Sequence, residues 1–198
     1  METRDVLALL EKEAEETGVP ILRAAEREIL IKAARDVRPR RILEIGTAIG
    51  FSAILLAEAC PEADIDTMEI DEKRHARAEA AICEAGLAGR IFCRLGDAAD
   101  ILPTLSGPYD FVYLDGPKGQ YLRHLKLVEP LLSPRAVICA DNVLFRGLVA
   151  GEAIPPHRYR TIVLRLREYL SYVSEHYETE IFEEGDGMAV SRGFRCAE

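Results

Sequence analysis

The chain has 198 residues, 48% of them hydrophobic, enough for one domain with a sizeable core and no membrane-length apolar segment. A formal charge of −9 opposes nonspecific binding to polyanions, although a local patch can reverse an overall sign. Five scattered cysteines, Cys60, Cys83, Cys93, Cys139 and Cys196, have no CxxC spacing, which argues against a disulfide framework and a zinc site and reads most of them as small core residues.

Met1 to Asp5 open a charged amphipathic helix, not a basic segment followed by an apolar one, so a cytoplasmic protein without a secretory signal is expected. That helix runs from about Arg4 to Glu16 and ends at Gly18 and Pro20. A second, from about Leu22 to Asp36, stops before Pro39. The first strand is Arg41 to Ile45. It passes into Glu44-Ile45-Gly46-Thr47-Ala48-Ile49-Gly50, whose glycines admit a ligand close to the backbone at a helix N-terminus. Thr47 and Ala48 stand where a dinucleotide fingerprint would need GxGxxG spacing, so the turn suits a nucleoside better than a pyrophosphate.

Further strands follow at Ile65 to Ile70, Ile91 to Leu95, Phe111 to Leu114 and Val137 to Ala140, with helical segments such as Glu72 to Ala85 and Gln120 to Leu131 between them. This alternation implies right-handed crossovers and a parallel sheet covered on both faces. Glu69, ending the second strand, stands where an acid accepts hydrogen bonds from ribose hydroxyls. After Pro155-Pro156 a helix from about Arg160 to Ser174 leads to strands Thr179 to Phe182 and Met188 to Ser191. Glu184-Gly185-Asp186-Gly187 joins them as a hairpin, so the sheet ends antiparallel.

Asp115, after the fourth strand, and the pair Asp141 and Asn142, after the fifth, emerge at one rim of such a sheet and supply hard oxygen donors for a divalent cation. Lys118, three residues after Asp115, is placed for a general base or substrate-orienting role. Helix N-capping would be the plain use of Asp115 and Asp141, yet it leaves Asn142 and the spacing of Lys118 unexplained. His75, His124, His157 and His176 fit no ligand pattern and read as helix-surface or loop residues, with His157 near the presumed substrate entrance.

The glycine turn resembles the ExGxxxG motif of S-adenosylmethionine enzymes. Asp115-Gly116-Pro117-Lys118 and Asp141-Asn142 resemble the DxxK and DN motifs of cation-dependent O-methyltransferases, the catechol and caffeoyl-CoA group. Segments such as Val19-Pro20-Ile21-Leu22, Asn142-Val143-Leu144-Phe145-Arg146-Gly147 and Gly185-Asp186-Gly187-Met188 are closest to bacterial tRNA 5-hydroxyuridine methyltransferases. The similarity covers roughly Val19 to Arg192, with departures at Glu168-Tyr169-Leu170 and Phe182-Glu183-Glu184.

This resemblance implies a Rossmann-like class I methyltransferase fold: one α/β domain over 1–198, helices at 1–38 ahead of a core at 39–198. Its sheet is seven-stranded and mostly parallel, with a C-terminal antiparallel hairpin and helices on both faces. It carries S-adenosylmethionine onto Glu44, Gly46, Thr47, Gly50, Ser52, Glu69, Asp97, Ala98 and Asp115, with Asp97 and Ala98 at the adenine and Ser52 and Glu44 at the methionine end. Mg²⁺, or another divalent cation such as Mn²⁺ or Ca²⁺, falls to Asp115, Asp141 and Asn142, and catalysis to Lys118 and Asp115.

The acceptor it implies is the wobble hydroxyuridine of a tRNA anticodon loop, with Arg146, Arg158 and Arg160 meeting phosphates. A small hydroxylated aromatic such as a catechol or phenylpropanoid is the rival, and a cofactor-binding regulator without catalysis is a reading of another class. A homodimer is implied too, with the first helix (Leu7, Leu9, Leu10) and the loop Leu148 to Pro156 as contact or lid.

Overall fold

The computed structural model describes residues 1–151 and 154–193. Two helices come first: α1 (Thr3–Thr17) and α2 (Ala24–Val37). The core then runs β1 (Arg41–Ile45), α3 (Phe51–Ala59), β2 (Asp64–Glu69), α4 (Glu72–Glu84), β3 (Ile91–Leu95), α5 (Ala98–Ile101), β4 (Tyr109–Leu114), α6 (Tyr121–Val128), β5 (Leu132–Asp141), α7 (Arg160–His176), β6 (Glu178–Phe182) and β7 (Met188–Arg192). The strands form one seven-stranded sheet in the order β3-β2-β1-β4-β5-β7-β6. The first five strands run parallel to one another, and β7 is antiparallel to both β5 and β6.

Strand side chains alternate between faces, and that period divides the core in two. Phe111 and Tyr113 of β4 point into one apolar cluster with residues of α1 to α4, whereas Val112 and Leu114 point into the other, with residues of α6 and α7. Both faces of β4 are thereby sealed, which accounts for its unbroken burial. Leu7 and Leu10 of α1 also belong to the first cluster, at 8% and 0% exposure, so they are not free for a partner as the sequence suggested; Leu9, at 48%, is the exposed one of the three.

β5 begins at Leu132, five residues before the expected Val137. Its extension contains Ser133, Pro134 and Arg135, residues that disguise a strand, and it is held by pairing of Leu132 with Tyr109 and by Arg135 on Asp110. Among the cysteines, Cys60 and Cys139 are buried as expected, but Cys93 is half-buried and Cys83 is exposed; Cys196 lies outside the described residues. No described helix is long and apolar enough to cross a membrane.

From β1 the chain turns to β2 on one side, while β4 lies on the other. The sheet's strand order reverses between β1 and β4, and in open α/β sheets the crevice beyond such a reversal receives ligands.

Candidate functional site

A cleft of about 470 Å³ opens at that reversal, a size suited to a small organic ligand. Gly46 forms its floor with φ of +105°, and a Cβ there would lie 2.6 Å from the Asp115 carbonyl oxygen, so only glycine lets β1 and β4 end this close together. The Asp115 N–H donates to the Ile45 carbonyl at 2.9 Å and fixes the two strand ends in register.

One wall gathers Ala48, Met68, Glu69, Ile70, Gly96, Asp97 and Ala98. The Glu69 carboxylate accepts the Ala48 N–H on one oxygen and the Asp71 N–H on the other, both at 2.9 Å. These bonds aim the carboxylate while leaving lone pairs for a ligand. Asp97 caps α5 through the Ala99 N–H at 2.8 Å. Gly46, Glu69, Asp97, Ala98 and Asp115, all expected in the cofactor site, thus share this cleft.

Glu44, Thr47, Gly50 and Ser52 do not line it. They lie behind the turn, buried: the Thr67 hydroxyl donates to Glu44 at 2.5 Å and meets the Thr47 hydroxyl at 2.6 Å. Burial pushes the Glu44 carboxyl up to about 7, partly offset by the hydroxyls of Ser52 and Thr67. Among these four, the shape of the turn, not an open ligand surface, is what the side chains secure.

The other end of the cleft holds Asp115, Lys118, Asp141 and Asn142 together with Arg23, Glu26, Gln120 and Asp186. Burial, then the charge of Asp115, pushes the Asp141 carboxyl up to about 7, and burial raises Asp115 as well, against the pull of Lys118. The Lys118 ammonium sits 2.7 Å from Asp115. Neither aspartate is a helix N-cap: the short 3₁₀ turn after Asp115 starts at Lys118 with Pro117 before it, and Asp141 instead accepts the Asn142 N–H at 2.8 Å. Asn142 takes a left-handed φ of +53°, which Asn tolerates better than most residues, and the Tyr121 hydroxyl donates to the Asp141 carbonyl at 2.9 Å.

Two crowded carboxylates beside an amide oxygen donor carry more negative charge than one ammonium offsets, which fits a hard divalent cation. Among the described residues no three His, Cys, Asp or Glu side chains gather into a metal cluster, so a third protein ligand would be the Asn142 amide.

Among the cleft residues that were not anticipated, two stand out. Glu26, 3% exposed, accepts the N–H groups of Arg23 and Asp186 at 3.0 and 3.3 Å, and so ties α2 to the β6–β7 hairpin beside the acidic pair. No local pattern marks that long-range meeting. His124 was expected at the surface but is 1% exposed in the cleft wall. Its signal was present: Tyr121, His124, Leu125 and Val128 follow the i, i+3, i+4, i+7 stripe of a buried helix face.

Arg146 and Arg158 gather on Tyr159, their guanidinium carbons 5.5 and 4.4 Å from its ring centroid, while Arg160 is exposed at the start of α7. The Arg146 N–H donates to Asp186 at 3.3 Å, which links this group to the cleft wall. His157 is exposed nearby. Tyr169, in the segment that departs from related sequences, is buried edge-on against Tyr121 and does not line the cleft.

A family model described as O-methyltransferase matches residues 8–194. A catechol O-methyltransferase of Niastella koreensis is 34% identical over 75% of this chain and 70% of its own length. A caffeoyl-CoA O-methyltransferase of Medicago sativa is 30% identical over 85% of this chain and 73% of its own. The SAH-bound Podospora anserina methyltransferase PaMTH1 superposes with a TM-score of 0.82 at 28% identity, covering 96% of this chain and 88% of that one.

Proposed function

This chain belongs to the O-methyltransferase family, and we propose that it transfers the methyl group of S-adenosylmethionine to a hydroxyl with a divalent cation held by Asp115, Asp141 and Asn142. The observation that carries this is the raised, like-charged pair Asp115 and Asp141 at the same strand-order reversal as the nucleoside-sized wall of Glu69 and Asp97. When bound, Mg²⁺ or a similar ion supplies Lewis acidity that makes an acceptor hydroxyl easier to deprotonate.

The protein's own residues do the rest. Glu69 accepts from the ribose hydroxyls, and Asp97 with the Ala98 N–H meets the adenine edge. Both fix the donor so that its methyl faces the acidic end of the cleft, where positioning provides much of what a two-reactant displacement requires. Asp115, Asp141 and Asn142 offer oxygen donors only, which suits Mg²⁺, Mn²⁺ or Ca²⁺ over zinc. As an ammonium on Asp115, Lys118 keeps that carboxylate aimed and orients the acceptor; as a neutral amine it would take the acceptor's proton.

For the acceptor we read the 5-hydroxyl of wobble 5-hydroxyuridine in tRNA. Arg146, Arg158 and Arg160 support this reading, as does the absence of any acidic residue from the first turn of α7. A small catechol is the second reading, favoured by curated relatives of that name at 34% and 35% identity. The complete Asp115, Lys118, Asp141 and Asn142 set weighs against a regulator without catalysis.

Labelled methyl transfer to hydroxyuridine-containing tRNA and to catechol, each with Mg²⁺ or EDTA, tests the proposal. Cation-dependent methylation of tRNA is expected, and Lys118→Met should cut turnover by about 100-fold or more with S-adenosylhomocysteine affinity nearly intact. Methylation of catechol alone would overturn the acceptor, full velocity in EDTA the cation, and an unaltered rate in Lys118→Met the role of that lysine.

A further inference from the structure

Resting on the reading that the cleft takes S-adenosylmethionine, we infer that His124 is a purine contact, one of its ring nitrogens hydrogen-bonding the adenine edge beside Asp97. Neither Nδ1 nor Nε2 has a hydrogen-bond partner among the described residues, although the side chain is 1% exposed. Buried polar atoms are rarely left this way in a folded protein, and the residue that carries them lines the cleft together with Gly96, Asp97 and Ala98. A core histidine kept for packing would have found a carbonyl or hydroxyl; this one sits in the cleft wall without either.

The position in the cleft selects the partner. The charges that bear on His124 are Asp97 and Arg123, not Asp115 or Asp141, so it belongs to the nucleoside half and not to the acidic end. α6 holds it there rigidly, because Tyr121 one turn earlier is pinned to the Asp141 carbonyl. Burial, which outweighs the opposing charge of Asp97, lowers the ring's pKa. A neutral imidazole offers one donor and one acceptor. The adenine edge offers an amino donor and ring-nitrogen acceptors, so whichever ring nitrogen meets it finds a partner, whereas an imidazolium could only donate.

Titration calorimetry with S-adenosylhomocysteine on the wild type, His124→Phe and His124→Gln tests this, joined by ¹⁵N spectra of the wild-type histidine rings. The ring resonances of His124 should move on saturation with S-adenosylhomocysteine. His124→Phe should lose about five- to tenfold in affinity, the worth of one hydrogen bond, without a fall in apo Tm, since it removes two unsatisfied polar atoms. His124→Gln, which keeps a donor and an acceptor, should retain more of the affinity.

Stationary ring resonances, or wild-type affinity in His124→Phe, would overturn the inference. Should His124→Phe fail to fold, the wild-type spectra decide. Absence of S-adenosylhomocysteine binding by the wild type would instead overturn the cofactor reading itself, and this inference with it.

Discussion

Glu44, one residue from the end of the first core strand, has its side chain fully buried with one oxygen on the Thr67 hydroxyl. Its carboxyl is raised from 4.5 to about 7, so the folded state favours the neutral form. Stability from this group is complete below its unfolded value, falls as pH rises through the folded one, and stays reduced above it. At about 1.4 kcal/mol per unit, the cost above pH 7 is on the order of 3 kcal/mol. Glu44→Gln should therefore melt higher than the wild type at pH 8, with the advantage gone at pH 4.5; equal melting at pH 8 would show that the carboxyl ionises there without penalty. Residue identity made Glu44 legible as a member of the glycine turn. Its withdrawal from the cleft was not, because whether the side chain two residues before Gly46 faces ligand or core is set by Thr67 on the neighbouring strand.

At the scale of elements, four strands are stitched together by Asp66. Its carboxylate on β2 takes Arg41 of β1 at 2.9 Å, Arg94 of β3 at 2.6 Å and the Tyr109 hydroxyl of β4 at 2.7 Å. Burial alone would raise its pKa, but the hydrogen bonds from Tyr109, Arg94 and Arg41 win, and it is lowered. A lowered acid stabilises above its unfolded value and loses that contribution as pH falls through the folded one. Asp66→Asn should cost about 1–3 kcal/mol at pH 7, discounted for the partly exposed arginines, with the deficit disappearing below the ordinary value of 3.8. A chemical-denaturation series from pH 7 to pH 3 reads this directly, and a constant deficit would assign the loss to packing. Strand identities were readable here from apolar runs and helix stripes, as with Phe111 to Leu114. Strand lengths were not: β5 gains Leu132 to Ala136 only because Tyr109 and Asp110 lie alongside.

The whole molecule carries −9 and yet presents exposed Arg146, Arg158 and Arg160, of which Arg146 and Arg158 rest on Tyr159 and Arg146 is tied through its N–H to Asp186 in the cleft wall. If a nucleic acid docks there, attraction is local and screened within a Debye length, so salt should weaken binding steeply. Arg146→Ala with Arg158→Ala should lower tRNA affinity and flatten the log K against log salt slope by about 1.4, as expected for two lost phosphate contacts on a single-stranded loop. Methyl transfer to free catechol should hardly change, because Tyr159, not the cleft, is what those guanidinium groups rest on. An unaltered slope would separate the arginines from nucleic-acid contact. The negative remainder of the surface then confines docking to this face and discourages binding elsewhere.

Periodicity and spacing by themselves determined the alternation of strands and helices, the antiparallel finish and the acids that close each strand, since these are local consequences of side-chain pattern and turn chemistry. Distance between segments far apart in the chain decided the remainder. Packing brought Glu26 to the Asp186 N–H, turned His124 inward onto the wall of Asp97, and sank Glu44, Thr47 and Ser52 behind the turn. Each of those outcomes depends on what a neighbouring element buries against it, and a linear pattern records only the face a residue shares, not the partner that face will meet.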